Sequence, residues 1–225
     1  MSYNVVMMKV STNGARGRDV RPVRTRLLEA AARLLADEGP RALTTRRLAS
    51  EVGASTMVVY HHFGGMPELV HAVIAEGFAR LAERMAAVPR TDDPVTDLGR
   101  LALAYRANAR ANPHLYAVMF GGVPPGGQAP PAAEPVASGA AFGAAAEAAA
   151  RAMDAGRLRR DDPEHVSAQV WSAVHGLVML ELAGQLAGRA ESVLISLLVN
   201  LSVGLGDAPD AAARSLRAAL DAPAP

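Results

Sequence analysis

The chain has 225 residues, half of them hydrophobic, which is enough for a small domain and a larger one with a sizeable core. It contains no cysteine, which excludes disulfides, a thiolate nucleophile and thiolate metal ligands. The net charge is only +1, yet the first 60 residues carry +5 and the remaining 165 carry −4. A basic front and an acidic rear are typical of a protein that touches a polyanion with one end, although an ordinary solvated surface has the same pattern.

Alanine and leucine abound while aromatic residues are scarce, and this mixture favours helices over sheets. No segment reaches the roughly 18 uninterrupted apolar residues that a membrane-spanning helix needs. The first twenty residues lack the apolar stretch and the small-residue cleavage site of a signal peptide. We therefore expect an all-α protein of the cytoplasm that has no contact with a membrane.

Residues 1–20 are polar, with interspersed glycines and arginines, and we interpret them as a flexible basic arm. A first helix is predicted from Pro22 to Gly39, because proline suits a first helical turn and glycine ends a helix. Its apolar face repeats at helical spacing through Leu27, Leu28, Ala31, Leu34 and Leu35. Capping residues then predict helices at 45–52 after Thr44, at 56–63 after Ser55 and at 66–87 after Gly65.

Six more helices are predicted at 93–111, 113–120, 132–155, 163–186, 191–205 and 208–220. The loop at 121–135 is rich in glycine and proline, and we expect it to be mobile. Neither strand alternation nor an internal repeat occurs in the sequence.

The second and third predicted helices are short and are joined by a tight turn at Gly53-Ala54, which is the plan of a helix-turn-helix. The segment 27–70 resembles the DNA-binding domain of the TetR family without a gap. The matching residues are Gly39, Leu43-Thr44, Ala49, Gly53, Tyr60, His62 and Phe63. The resemblance implies an N-terminal three-helix helix-turn-helix domain followed by a helical domain that binds a small molecule and a second copy.

Residues around the turn are candidates for contact with DNA. Thr44 and Ser55 lie at helix N-termini, where backbone N–H groups and the helix dipole attract phosphate. Arg46 and Arg47 lie where a cation opposes that dipole, which indicates an anionic partner unless both side chains are simply solvated. The full predicted set is Thr44, Thr45, Arg46, Ser55, Thr56, Met57, Tyr60, His61 and His62.

The third helix is the predicted reading helix. Val59 and Phe63 are four residues apart and should face the core. Thr56 and Met57 then point outward at the N-terminus of the helix and are candidates for contact with base edges.

The resemblance also implies that Tyr60 and His62 contact phosphates, although His62 could instead pack between helices. His61 could reach a base or a phosphate. The family usually has a lysine at the start of the fourth helix, where this chain has Met66, so one phosphate contact is in doubt. Arginines of the arm either compensate in the minor groove or have no role: Arg16, Arg18, Arg21 and Arg24.

In the rear half, the stretch 171–181 resembles the Trp-x-x-x-His-Gly signature of one TetR subgroup, and 112–121 is also typical of that subgroup. Trp171, His175 and Met179 are spaced four residues apart and share a helix face. A cavity for a mainly apolar ligand needs such walls and a few polar groups, yet the same stripe could be plain core. The candidate ligand-binding residues are Tyr105, Tyr116, Met119, Phe120, Trp171, His175 and Met179.

These predictions divide the chain into an arm at 1–20, a helix-turn-helix domain at 21–67 and a ligand-binding and dimerisation domain at 68–225. The predicted helix at 191–205 is apolar nearly all round. We therefore expect it to form a homodimer interface with the helix at 163–186, unless both are buried inside one copy. The partners implied are a double-stranded operator, a small effector and a second copy, and no cofactor is implied.

Two other classes stay open. For an enzyme, the histidines show no metal-ligand spacing and no glycine-rich phosphate loop follows a strand. His175 and Glu181 are six residues apart and should lie on opposite faces of one helix. A helical interaction module without DNA binding is supported only by Met66. We predict a ligand-responsive repressor, not an enzyme, that binds a pseudo-palindromic operator as a dimer.

Overall fold

The computed structural model describes residues 22–120 and 135–221. The predicted arm at 1–20 and nearly all of the predicted loop at 121–135 lie outside these residues. The described chain forms helices and no strand, which confirms the all-α prediction, and none of these helices is long and apolar enough to cross a membrane. The helices are α1 (Val23–Glu38), α2 (Thr45–Glu51), α3 (Met57–Phe63), α4 (Met66–Ala86), α5 (Pro94–Ala111), α6 (Pro113–Met119), α7 (Pro135–Asp154), α8 (Pro163–Leu182), α9 (Ala190–Gly204) and α10 (Pro209–Leu220).

Local signals set most helix ends near the predicted positions. The hydroxyl oxygen of Thr44 accepts a hydrogen bond from the N–H of Arg47 at 3.2 Å, so the predicted cap of α2 is confirmed. Gly39 and Gly64 end α1 and α3 with φ of 79° and 80°. Glycine adopts this left-handed conformation without the steric cost that a Cβ would bring.

The predicted side-chain cap of the third helix is wrong in detail. α3 begins at Met57, and Thr56 in front of it has a helical backbone and makes no side-chain cap. The carbonyl of Ser55 accepts a hydrogen bond from the N–H of Val58 at 3.1 Å, so the main chain of Ser55 opens the turn. α8 also ends four residues earlier than predicted, because the chain turns at Gly184 with φ of 74°.

Helix α4 belongs to both halves of the molecule. It packs against α1 and α3 of the helix-turn-helix and against α6 and α7 of the rear half. Its fully buried residues include Leu69 near the front and Leu81 near the rear. Since two sets of helices are packed on one rigid element, a displacement of its rear half would be passed to α1 and α3.

Ion pairs fasten the rear half around α5, which packs against α7, α8 and α10. Arg157 donates to both carboxylate oxygens of Asp207, at 2.8 and 2.7 Å, and to Asp93 at 3.0 Å. Arg151 donates to the buried carboxylate of Asp97 at 2.7 Å. These pairs join the start of α5 to α7 and to the segments that flank α10.

Candidate nucleic-acid interface and buried aromatic cluster

The third helix presents one buried and one exposed face. Val59 and Phe63 are buried against the core, as predicted, while Met57 is 69% exposed and Tyr60 is 50% exposed. The turn before the helix passes through Gly53, whose φ is 65°. The short pair α2 and α3 joined at this turn has the plan of a helix-turn-helix, with the second helix turned outward.

The nine residues predicted to contact DNA all lie on this pair of helices or on the residues that flank them. Thr45 and His62 are half-buried, and the other seven are exposed. The rings of His61 and His62 meet edge to face at 5.0 Å between centroids. His62 thus contacts the neighbouring ring and keeps part of its surface open, and its contact with phosphate stays a prediction.

The two arginines at the start of α2 differ in their partners. Arg47 forms ion pairs with Glu38 at 2.9 Å and with Glu51 at 3.2 Å, so its positive charge is compensated within the chain. The side chain of Arg46 is exposed and makes no ion pair or hydrogen bond to any residue in the described part of the chain. Arg46 thus leaves a free cation beside the N-terminus of α2, where an anion would be attracted.

Met66 and Arg24, which flank the helix-turn-helix, both pack on the protein itself. Met66, which replaces the expected lysine, is half-buried and packs against the hydrophobic core. Arg24 holds its guanidinium over the ring of Phe63 at 5.0 Å from the centroid, which ties α1 to α3. Arg16, Arg18 and Arg21 lie outside the described residues.

The rear half contains a cluster of six aromatic and imidazole rings drawn from four helices and the end of α6. Five of the predicted ligand-binding residues are in it. The members are Tyr105, Tyr116, Phe120, Phe142, Trp171 and His175. Phe142 was not predicted; its ring lies 4.7 Å from that of Trp171, and its only sequence signal is an aromatic residue in an alanine-rich helix.

The polar atoms of the cluster form one directed chain of hydrogen bonds. The Nε1–H of Trp171 can only donate, and it donates to the hydroxyl oxygen of Tyr105 at 3.1 Å. The hydroxyl of Tyr105 lies 2.9 Å from that of Tyr116, which lies 2.7 Å from Nδ1 of His175. If Nδ1 accepts, both hydroxyl protons have acceptors. If Nδ1 carried a proton, one tyrosine hydroxyl would have no acceptor in the cluster, so the geometry favours a neutral His175.

Burial keeps these groups uncharged. It raises the pKa of Tyr105 to about 12. Burial and the adjoining Tyr105 also raise the pKa of Tyr116, while burial lowers the pKa of His175. At neutral pH both phenols therefore keep their protons and the imidazole stays neutral, as the hydrogen-bond chain requires.

Two methionines of the predicted set are not part of the cluster. Met119 is buried, but its sulfur lies 2.7 Å from the position that a Cβ on Gly77 would take, so it packs towards α4. Met179 is 45% exposed. Eight residues of α-helix advance about 80° beyond two full turns, so Met179 has rotated away from the face that Trp171 presents to the cluster.

The cluster is closed in this structure. Beside Tyr105, Phe142 and Trp171 lies a void of about 20 Å³, which is room for no more than a water molecule. A larger recess of about 370 Å³ lies between α4 and α7, and Met85 and Leu101 line both spaces. A small molecule that enters from this recess would have to pass these two side chains to reach the cluster.

Taken together, these features define a helix-turn-helix DNA-binding protein with an N-terminal reading unit and a helical C-terminal domain. Comparison with models of known protein families supports this assignment. Residues 27–73 match the model described as bacterial regulatory proteins of the tetR family, and residues 98–201 match the tetracyclin repressor-like C-terminal domain. Together the matches span about two thirds of the chain, and the chain belongs to the TetR family of transcriptional regulators.

Relatives and solved structures are consistent with this family. An uncharacterised HTH-type transcriptional regulator, Rv0681 of Mycobacterium tuberculosis, is 28% identical over 81% of each chain. The repressor AcnR of Corynebacterium glutamicum is 40% identical, but over only 27% of this chain and 32% of its own.

Among solved structures, a protein of unknown function from Rhodococcus sp. RHA1 is 24% identical, with a TM-score of 0.72 over 86% of this chain and 100% of its own. RolR in complex with resorcinol is 17% identical, with a TM-score of 0.64 over 90% of this chain and 94% of its own. These two similarities concern the fold alone. The subgroup suggested by the Trp-x-x-x-His-Gly sequence stays a prediction.

Proposed function

We propose that this chain is a repressor that binds a pseudo-palindromic operator as a homodimer and leaves it when a small, mainly apolar effector binds. In this proposal residues 21–67 contact DNA, residues 68–225 bind the effector and the second copy, and residues 1–20 extend the basic surface. The site of action is the cytoplasm. His175 and Glu181 do not form an acid–base pair, since they belong to separate hydrogen-bond networks.

The exposed face of α3 carries the proposal. Met57 and Tyr60 are more exposed than any other large hydrophobic side chain of the described residues. Nothing in the packing of the described residues accounts for exposing both of them one helical turn apart, whereas a major groove would cover them. The free cation of Arg46 at the start of α2 adds an attraction for phosphate.

Binding to DNA from the region upstream of the gene tests this proposal. Tyr60→Ala should abolish specific binding and leave the dimer intact, and Arg46→Ala should weaken binding to all sequences and lower the salt dependence. Arg160→Ala removes an exposed arginine from the rear half and is the matched control, with wild-type affinity expected. Unchanged affinity of Tyr60→Ala would overturn the role of α3, and a folded dimer that binds no DNA would overturn the repressor.

The aromatic cluster is the proposed effector site. Its walls are apolar rings, and its hydroxyl and imidazole groups could exchange a bond with one another for a bond to a ligand hydroxyl. We therefore propose effectors that combine an aromatic ring with a hydroxyl group. Resorcinol, the ligand of the RolR complex, is a suitable first probe. Met179 is too exposed to support a place in this site.

Fluorescence can test this effector site directly, because Trp171 is the only tryptophan of the chain. A hydroxylated aromatic effector should change the emission of Trp171 at the same concentrations at which it releases DNA. Tyr105→Phe should weaken that response. Release of DNA with unchanged emission would place the effector elsewhere.

Coupling between the two halves is proposed to run through α4. The cluster rings sit on α5, α7 and α8 and at the end of α6, and both α6 and α7 pack on α4. An effector that opens the cluster would shift these helices and so change the spacing of the two reading helices in a dimer. The effector acts only to the extent that it binds the open state more tightly than the closed state.

The outward faces of α8 and α9 support a dimer through these helices. Met179 and Leu180 on α8 are each 45% exposed, and Val193 on α9 is 40% exposed. Gly176 lies one helical turn before Met179 and Leu180 on α8; it is exposed, and a Cβ there would meet nothing within 4 Å. A glycine in mid-helix weakens the helix, but it would allow a helix of a second copy to pack closely against α8.

Sedimentation measures this interface. Gly176→Arg should convert the dimer to a monomer with unchanged helix content. Ala79→Arg, at an exposed position of α4, is the matched control and should remain dimeric. A dimeric Gly176→Arg protein would move the interface to another face.

A further inference from the structure

A second recess lies on the face of α5 opposite Tyr105. It has a volume of about 620 Å³ and is bounded by the ends of α4 and α10 and the start of α9. Leu103 and Ala107 give it an apolar floor, with Arg100 at one end and Arg110 at the other. The two arginines are ten residues apart, so their positions along α5 differ by about 15 Å. We call this recess the α5 groove.

Arg100 is the unusual residue of the α5 groove. Its Nε is buried and has no hydrogen-bond partner, and its guanidinium makes no ion pair with any residue that the structure describes. Burying a donor without an acceptor is unfavourable, and buried polar groups of folded proteins nearly always have partners. Arg100 thus points to an acceptor supplied from outside the part of the chain that the structure describes.

Arg106, which also lies on α5, has the carboxylate partners that Arg100 lacks. Arg106 donates to both oxygens of Glu181 at 2.8 Å and to Glu191 at 3.2 Å. This pairing raises the pKa of Arg106 and lowers the pKa of Glu181, because each ion stabilises the other. Arg106 is therefore occupied, and Arg110 lies 3.6 Å from the same Glu181, so Arg100 is the cation left without a carboxylate.

The geometry points to a ligand of one chemical class. We propose that the α5 groove binds a carboxylate-bearing amphiphile, with the carboxylate on Arg100 and the apolar chain along Leu103 and Ala107. A planar guanidinium suits a carboxylate, and the apolar floor suits a hydrocarbon chain. Glu191 and Asp221 also line the groove, and their charges disfavour an anion with several negative charges. The proposal is independent of operator binding and of the aromatic cluster.

Calorimetric titration of the full-length protein with sodium decanoate, below its micelle concentration, tests the α5 groove. Decanoate should bind, decanol should bind at least about tenfold more weakly, and Arg100→Met should lose at least about tenfold in affinity. Ala107→Trp fills the groove without touching the cation and should also prevent binding. Arg217→Met, an exposed arginine of α10 outside the groove, is the matched control and should bind as wild type.

The emission of Trp171 separates this site from the aromatic cluster. Decanoate bound in the α5 groove should leave that emission and the binding of resorcinol unchanged. Equal affinity of wild type and Arg100→Met, equal affinity for decanol, or competition with resorcinol would each overturn the proposal. So would a failure of the wild type to bind decanoate, including a failure caused by a second copy of the chain covering the groove.

Discussion

Removing the hydroxyl of Tyr105 should destabilise the fold more than removing the hydroxyl of Tyr116, although both lie in one hydrogen-bond chain. Tyr105→Phe leaves the Nε1–H of Trp171 without its acceptor. Tyr116→Phe leaves no such orphan, because the hydroxyl of Tyr105 also lies 3.0 Å from Nδ1 of His175 and can donate there directly. The chain therefore closes again in one variant and stays broken in the other.

The expected magnitudes follow from what each change leaves unpaired. A buried donor without a partner costs about 1–3 kcal/mol, whereas the net loss of one hydrogen bond costs about 0.5–1.5 kcal/mol. Tyr105→Phe belongs to the first case, at its lower end, because Trp171 is only partly buried and water can reach it. Tyr116→Phe belongs to the second case. We expect the two variants to differ by about 1 kcal/mol.

Urea unfolding followed by circular dichroism measures this difference at one fixed protein concentration, since the stability of a dimer depends on concentration. Tryptophan fluorescence is unsuitable, because the hydrogen bond of Trp171 itself changes. Tyr60→Phe removes an exposed hydroxyl and is the matched control, with an effect within about 0.5 kcal/mol. Equal effects of the two buried tyrosines, or a reversed order, would refute the proposed direction of the chain.

Three further changes can be checked by denaturant unfolding. Asp207→Asn should lower the free energy of unfolding by about 2–3 kcal/mol, because it removes the buried carboxylate that binds Arg157 through both oxygens and leaves Arg157 with Asp93 as its carboxylate partner. Asp154→Asn, in an exposed pair, should have no measurable effect. His175→Gln should flatten the pH dependence of the free energy of unfolding below about pH 6.5. Burial holds the folded pKa of His175 below the unfolded value of about 6.5, so the unfolded wild type takes up a proton first and stability falls with pH there. Parallel plots of the free energy of unfolding against pH for wild type and His175→Gln would contradict this role of His175. Gly99→Ala should cost about 1–3 kcal/mol, since its Cβ would lie 2.8 Å from atoms of α10, whereas Gly143→Ala meets nothing within 4 Å and should stabilise by about 0.5–1 kcal/mol. An unchanged free energy of unfolding in Gly99→Ala would show that α10 can shift away from α5 at little cost.

Most helix positions could be predicted because their ends are encoded within a few residues. Thr44 binds the N–H three residues ahead, and glycines with positive φ stand at the ends of α1 and α3. The end of α8 was predicted too late, because the apolar pattern continues to Leu186 while the backbone already turns at Gly184. Periodicity reports burial, and it does not report the conformation of a single glycine.

The faces of α3 could also be predicted, since Val59 and Phe63 are one helical turn apart. The aromatic cluster could be predicted only in part. Phe142 meets Trp171 because α7 packs on α8, and no spacing along the chain relates the two residues. The partners of Arg106 could not be predicted from the sequence either, because Glu181 lies 75 residues further along the chain.

The tight packing of the aromatic cluster limits how an effector at the proposed site can act. A void of about 20 Å³ cannot hold an aromatic ring, so binding must move rings, or Met85 and Leu101, before any contact is made. The free energy of that opening lowers the apparent affinity of the effector by the fraction of molecules already open. Met85 lies on α4, the helix on which α1 and α3 are packed. If Met85 is one of the side chains that moves to admit an effector at the proposed site, the movement occurs on the same helix that carries α1 and α3, which would link effector binding to the position of the reading helix.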